Sequence, residues 1–227
     1  MTTLFLARHL LPICSAPIEN GGLLVENGRI AAVGFGSALQ AAFPDADIID
    51  FGDRVLLPPM ANAHTHLELT HFPQWALSAE VSSGPFLFVD WVLQLIKVRR
   101  TLIPAQLEQS LSAGLDLSLP SRTALICDIL TSLESRSAYE SAKIHGRVYL
   151  EVLGREPVLV TQRLDHFADI CQTPPGNSLG WGLSPHAPYT LSEETCRLAI
   201  RWAERHRMPV AIHLAETEDE VAFVAGK

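Results

Sequence analysis

Val55-Leu-Leu-Pro-Pro-Met-Ala-Asn-Ala-His-Thr-His-Leu-Glu-Leu-Thr70 begins as a continuous apolar run, the pattern of a strand buried on both faces, and ends in two histidines at a spacing of two. In an extended segment, residues i and i+2 share a face, so His64 and His66 present both imidazoles to one side. Neutral imidazole is the commonest protein ligand for zinc and iron, and a pair on one rigid strand needs little further ordering to chelate a divalent ion. A His-x-His also arises by chance. Here it closes a buried-type strand and is followed at once by a carboxylate, Glu68.

Downstream of Thr70 the periodicity changes from strand to helix. Pro85–Arg100 places Phe88, Trp91, Leu95 and Val98 on one helical stripe, expected to face the core, and Pro104–Leu117 does the same with Leu107, Leu111 and Leu115. Thr123–Leu130 reads as a buried strand, Ser137–Lys143 as a polar helical segment and Arg147–Leu153 as a strand. Val160–Cys171 is a predicted helix and Leu179–Ser184 a strand. Ser192–His206 is a helix capped by Ser192, with Glu193 and Glu194 in the first turn where the macrodipole favours acids. Met208–His213 is the last expected strand, and Thr217–Val224 starts another helix. Apolar strands alternating with helices of about a dozen residues mean parallel βαβ units. The strands end near residues 66, 130, 153, 184 and 213, whereas an eight-stranded barrel typically takes about 250 residues. The expected fold class is therefore α/β: an incomplete (β/α)8 TIM barrel of about five strands over residues 56–227, stopping shortly after strand five.

Residues 1–55 read as short strands and turns. Leu23–Val33 is two β runs joined by Asn27-Gly28, the dipeptide that accepts positive φ at both central positions of a type I′ turn. Ala46–Phe51 supplies a further strand, giving part of a small β structure with too few strands to close a sandwich by itself.

Composition narrows the function classes. With 227 residues, 48 % of them hydrophobic, and a mean hydropathy of +0.18, the chain can bury a sizeable core. A formal net charge of −8 and few lysines (Lys97, Lys143, Lys227) argue against a nucleic-acid partner. The four cysteines are widely spaced with no Cys-x-x-Cys pair, which fits a reducing cytoplasm. Leu4–Cys14 is Leu-rich like a signal peptide but lacks a basic segment before it, and Arg8 and His9 interrupt it, so it reads as strand. No apolar run reaches the roughly 20 residues of a membrane span.

In parallel α/β proteins the functional groups gather at the C-terminal ends of strands. Those ends carry His64, His66, Asp128, Glu151, His186 and His213, with Glu216 three residues on. His213 can complete a facial set with His64 and His66. Glu216 can lie over the metal and move a proton to a leaving nitrogen, since a metal lowers the pKa of bound water towards 7. His186, bracketed by prolines in Ser184-Pro-His-Ala-Pro188, is expected as a substrate-facing donor. Glu68 either hydrogen-bonds a substrate amine or satisfies its own loop. Cys127, Asp128 and Glu151 are assigned structural roles, and His9, His71, His145, His166 and His206 none.

The segment Pro58–Glu68 ending His-Thr-His-Leu-Glu, the Ser-Pro-His-Ala-Pro block and His213-Leu-Ala-Glu216, in this order and at barrel-strand spacing, resemble the amidohydrolase superfamily. The branch is that of the cytosine, guanine, S-adenosylhomocysteine and aminodeoxyfutalosine deaminases and the triazine chlorohydrolases. The resemblance covers the N-terminal part of that family's chain and implies that the first 55 residues belong to a composite β-sandwich. Carried over, it implies metal ligation by His64, His66 and His213, proton transfer by Glu216, and a substrate contact from His186. Pro59 stands where the family usually has Gly, and Gly180–Ser184 contains no lysine that could be carboxylated to bridge two metals, which implies one divalent metal, zinc before iron. The family's strand-six His and strand-eight Asp, the latter a metal ligand, have no counterpart here.

The implied function is a metal-dependent hydrolase of non-peptide C–N bonds, deaminating an aminated heterocycle or nucleoside-like small molecule through a metal-bound hydroxide. The alternatives are a ring-opening amidohydrolase or chlorohydrolase, and, in a different class, a truncated and catalytically incomplete fragment with exposed strand edges. The expected setting is cytoplasmic, with no membrane or nucleic-acid partner and homo-oligomerisation left open.

Overall fold

The computed structural model describes residues 1–79 and 87–226, which divide into two compact units, Met1–Pro59 and Met60–Lys227. In the first unit β1 (Thr2–Leu10), β2 (Ile18–Glu26), β3 (Arg29–Phe35), β4 (Asp47–Asp50) and β5 (Val55–Leu56) form one sheet, with α1 (Gly36–Ala42) between β3 and β4 in the chain. Its order is β3-β2-β1-β4, with β5 pairing further along β1. The β2–β3 hairpin pairs Glu26 with Arg29, leaving Asn27 and Gly28 as the two loop residues at φ +50° and +75°. Both values are positive, as a type I′ turn requires. Leu4, Ala7, Leu10 and Leu24 are buried, while Ile30, Val33, Ile48 and Ile49 are exposed.

The second unit contains β6 (Met60–Thr65), α2 (Phe72–Ser78), α3 (Phe88–Arg99), α4 (Pro104–Ser118), β7 (Thr123–Leu130), β8 (His145–Val152), α5 (Pro157–Ile170), β9 (Leu179–Pro185), α6 (Glu193–His206) and α7 (Glu218–Val224). Its sheet runs β6-β7-β8-β9 with every pairing parallel, as the βαβ reading requires. Ile126, Leu130, Val148, Leu150 and Leu183 from the strands pack with Leu111 and Leu115 of α4, Leu164 and Phe167 of α5, and Trp202 of α6 in one cluster. Each fully buried aliphatic side chain contributes about 2 kcal/mol of transfer free energy. The strands also approach closely: at Gly146 (φ +135°) a Cβ would lie 1.9 Å from the Ile126 carbonyl oxygen, so only glycine fits there.

Three expected elements come out differently. The segment expected to be helical over Ser137–Lys143 is a 3-10 turn at Leu133–Tyr139, which brings the fully buried Tyr139 to hydrogen-bond with Asp128. Met208–His213 is extended beside β9, through Leu183 N–H to Pro209 O (2.9 Å), Ala211 N–H to Leu183 O (3.0 Å) and His213 N–H to His186 O (2.9 Å). It is not a regular strand, because the pairing yields a single bridge at Val210: Pro185 has no N–H to continue the ladder, and His213 bonds to His186 instead. The stripe on α3 does not face the core: Val98 is buried, but Trp91 is 41 % exposed, and Phe88, Trp91 and Leu95 wall a cavity instead. Pro85 and Phe86, the expected start of that helix, lie outside the described residues.

Candidate active site

β6 and the extended segment after α6 deliver the three expected imidazoles to one place. One ring nitrogen from each of His64, His66 and His213 lies within 4.8 Å of the other two. His66 Nε2 and His213 Nε2 are 3.2 Å apart. Two imidazole nitrogens each about 2.1 Å from one zinc ion stand at this separation when the angle between them is about 100°, near tetrahedral. The donor set therefore fits a divalent cation. His213 is also oriented for ligation, because the His186 carbonyl accepts both its backbone N–H (2.9 Å) and its Nδ1–H (3.0 Å), which leaves the Nε2 lone pair facing the cluster. Burial, followed by the neighbouring His213, pushes His66 down to about 3 and His64 below its ordinary value. Both rings are thus neutral near pH 7, the form that ligates.

The strand ends behind the cluster are held by buried polar groups. Asp128, at the end of β7, is fully buried and accepts from Leu67 N–H at 2.8 Å and from the Tyr139 hydroxyl, fixing the backbone immediately after His66. Burial raises its carboxyl to about 7, offset in part by the Tyr139 hydrogen bond. Glu68, for which the sequence left a substrate contact and a loop role open, is fully buried and does not line the cavity. Its Oε1 lies 2.7 Å from Arg99 Nη1 and its Oε2 accepts from Ser132 N–H at 3.0 Å. Of the two readings the sequence left open, the geometry matches the loop-satisfying one: the carboxylate holds Arg99 of α3, and it is Arg99 that reaches the cavity.

That cavity, about 190 Å³, is lined by His64, His66, His186, His213, Glu151 and Glu216, closed on one side by Phe88, Trp91 and Leu95 of α3. It shares Phe88, Val92 and Tyr189 with an apolar cavity of about 430 Å³ between α3 and α7. Glu216 stands exposed at this wall on a short loop that turns through Ala215 at φ +57°. The buried Glu220 carboxylate accepts from both Ala215 N–H (3.1 Å) and Glu216 N–H (2.8 Å), which holds the loop against α7. His186 is held by Thr190: the hydroxyl donates to the Ala187 carbonyl (3.0 Å) and lies 2.9 Å from His186 Nδ1. The imidazole hydrogen is therefore assigned to Nδ1, and Nε2 faces the cavity as an acceptor rather than as the donor expected. Burial, then His213, pushes this ring down to about 4, keeping it neutral.

Sequence reasoning gave Glu151 a structural role, read the α3 stripe as core and assigned Arg99 no role. Glu151 sits at a strand C-terminus like the histidines, so its position was visible. That its carboxylate faces the cavity, with Glu151, His186 and His213 forming a second close group, appears only in three dimensions.

His-x-His in β6, His186 after β9 and His213-x-x-Glu216 thus share one rim. The chain belongs to the amidohydrolase family, whose model matches residues 55–227, and residues 21–46 match an imidazolonepropionase-like composite domain of bacteria. It is 29 % identical over 216 residues to a 5-methylthioadenosine/S-adenosylhomocysteine deaminase of Nitratidesulfovibrio vulgaris, covering 90 % of this chain and 46 % of that protein. It is also 29 % identical over 209 residues to an aminodeoxyfutalosine deaminase of Deinococcus radiodurans, covering 88 % of this chain and 46 % of the other. The structure of Helicobacter pylori aminofutalosine deaminase in complex with methylthio-coformycin superposes with a TM-score of 0.80 at 21 % identity, covering 98 % of this chain and 53 % of that one. The chain thus spans about half the length of the curated relatives it matches, and its parallel sheet matches part of the barrel of the solved structures it resembles. No helix among the described residues is long and apolar enough to cross a membrane.

Proposed function

We propose that this chain carries the metal-holding and proton-transferring side of a deaminase acting on an aminated purine nucleoside or a related heterocycle. Residues 56–227 hold the reaction groups and residues 1–55 the accompanying sheet. The observation that supports this reading best is the convergence of three imidazoles at ligand spacing beside an exposed glutamate and a half-buried histidine in one cavity. His64, His66 and His213 would hold the ion, zinc before iron given the all-imidazole donor set. A divalent cation there supplies Lewis acidity and makes water a nucleophile near neutral pH.

The remaining chemistry belongs to the chain's own side chains. Glu216, exposed at the cavity wall and held by Glu220 through its backbone, takes a proton at its carboxylate and returns it to the departing nitrogen. His186 Nε2 orients the substrate. The α3 wall of Phe88, Trp91 and Leu95 offers flat apolar surface for a heterocycle and excludes water from it. The Asp128–Leu67 bond and the His186 carbonyl keep the ligand rings in place without touching the substrate.

The test combines elemental analysis with ammonia release from 5′-methylthioadenosine, S-adenosylhomocysteine and guanine by the metal-loaded full chain. Close to one zinc or iron per chain and ammonia release abolished by Glu216→Gln support the reading. A metal-loaded chain that releases no ammonia from any of them overturns it.

A further inference from the structure

Glu151 is 3 % exposed at the end of β8, yet its Oε1 has no hydrogen-bond partner among the described residues. The other oxygen is fixed: Oε2 accepts from Thr131 Oγ1 at 2.6 Å, and the Thr131 carbonyl in turn accepts from Arg163 Nη2 at 2.7 Å. A buried carboxylate oxygen left without a donor costs stability, and it persists where something else completes it. Oε1 lies 3.9 Å from His186 Nε2, which carries no hydrogen because Nδ1 donates to Thr190. Two acceptors thus face one another across a gap too wide for a hydrogen bond, both on the cavity wall and in residues that form a close group with His213. A nitrogen bearing two hydrogens can donate one to each acceptor. A carbonyl oxygen in the same place meets two lone pairs and no donor.

We propose that Glu151 Oε1 and His186 Nε2 form a paired-acceptor subsite that binds the amino group of the ligand and rejects the carbonyl that replaces it. Glu151 is thereby a substrate-contacting, specificity-determining residue. The proposal rests on the deaminase reading and deepens it: the same pair that seats the amine disfavours the oxo product, so the site discriminates substrate from product and promotes release. Rejection of a ligand that leaves buried polar groups unpaired is the more selective half of such discrimination.

The experiment is calorimetric binding of 5′-methylthioadenosine and 5′-methylthioinosine to the full chain, with metal chelated so that neither ligand turns over. Wild-type protein is expected to bind the amino compound at least ~10-fold tighter than the oxo compound. In Glu151→Gln, which keeps the side-chain shape and adds donors, the preference is expected to fall below ~3-fold or to reverse. Equal wild-type affinity for the two compounds overturns the subsite whatever the variant does, as does a preference unchanged by Glu151→Gln; in both cases nucleoside binding leaves the deaminase reading standing. Failure of the wild type to bind either nucleoside, together with no ammonia release from the metal-loaded chain, overturns both.

Discussion

β8 and the Met208–His213 segment bring side chains to the same cavity by opposite means. β8 is laddered on both sides, by β7 and by β9, and its last residues Leu150, Glu151 and Val152 are almost wholly buried. Met208–His213 bonds only towards β9, and Val210 and Ile212 are about two-fifths exposed. The doubly laddered strand can hold a buried carboxylate oxygen with no donor, because moving it would break backbone bonds on two flanks. The singly bonded segment cannot rely on a ladder, so its histidine is held locally, by two hydrogen bonds to one carbonyl. Within one rim, rigidity comes from the sheet on one side and from side-chain anchoring on the other.

The largest expected effect sharpens this contrast. His213→Ala removes a ligand from the anchored segment and is expected to weaken zinc binding by about 100-fold or more, whereas Glu151→Gln on the laddered strand shifts it by less than ~3-fold. Competition with a chromophoric chelator measures both, and comparable losses would erase the division of labour between the two sides.

The next effect is pH-dependent. His66 and His186 are held at about 3 and about 4 in the fold, below the ordinary value of 6.5, so between these values the unfolded chain binds more protons than the folded one. Their contribution to stability is complete above pH 6.5 and is lost as pH falls towards 4, at up to about 1.4 kcal/mol per pH unit for each ring. Urea midpoints of the metal-free chain at pH 7, 6 and 5 should fall accordingly. His66→Ala should flatten the slope, and an unchanged slope in that variant would place the acid sensitivity elsewhere.

The smallest effect lies at the far end of the anchored segment. Thr217 caps α7 by accepting from Glu220 N–H at 3.2 Å, in the same short helix whose Glu220 side chain holds the Glu216 loop. Thr217→Ala should cost about 1 kcal/mol and speed amide exchange at Ala215 and Glu216, while the β8 amides keep their protection. Faster exchange in β8 as well would show that the two sides open together.

The Asn27-Gly28 hairpin, the Ser192 cap and the parallel order of β6–β9 were all legible in the sequence, because each rests on local chain conformation or on a periodicity that one segment displays by itself. The convergence of His64, His66 and His213 was legible for a related reason: strand C-termini in this architecture share one rim. The α3 stripe was misread because a helix face lining a cavity has the same spacing as one packed in a core. Met208–His213 was expected as a full strand because apolar patterning reports burial and extension, but the ladder beside β9 stops at the Val210 bridge, where Pro185 has no N–H to continue it.

By itself the sequence determined the kind of sheet, the ends of its strands and the chemical identity of the groups on its rim, because backbone propensity, hydrophobic period and side-chain type are properties of a segment. Only the tertiary structure decided what each group faces. It buried Glu68 against Arg99 and Ser132, left Glu151 Oε1 opposite His186 Nε2, and aimed His213 Nε2 at His66 through a carbonyl 27 residues away in the chain. Partners of that kind come from segments far apart in sequence, and whether a polar atom is a satisfied structural element or an open binding group depends on those partners.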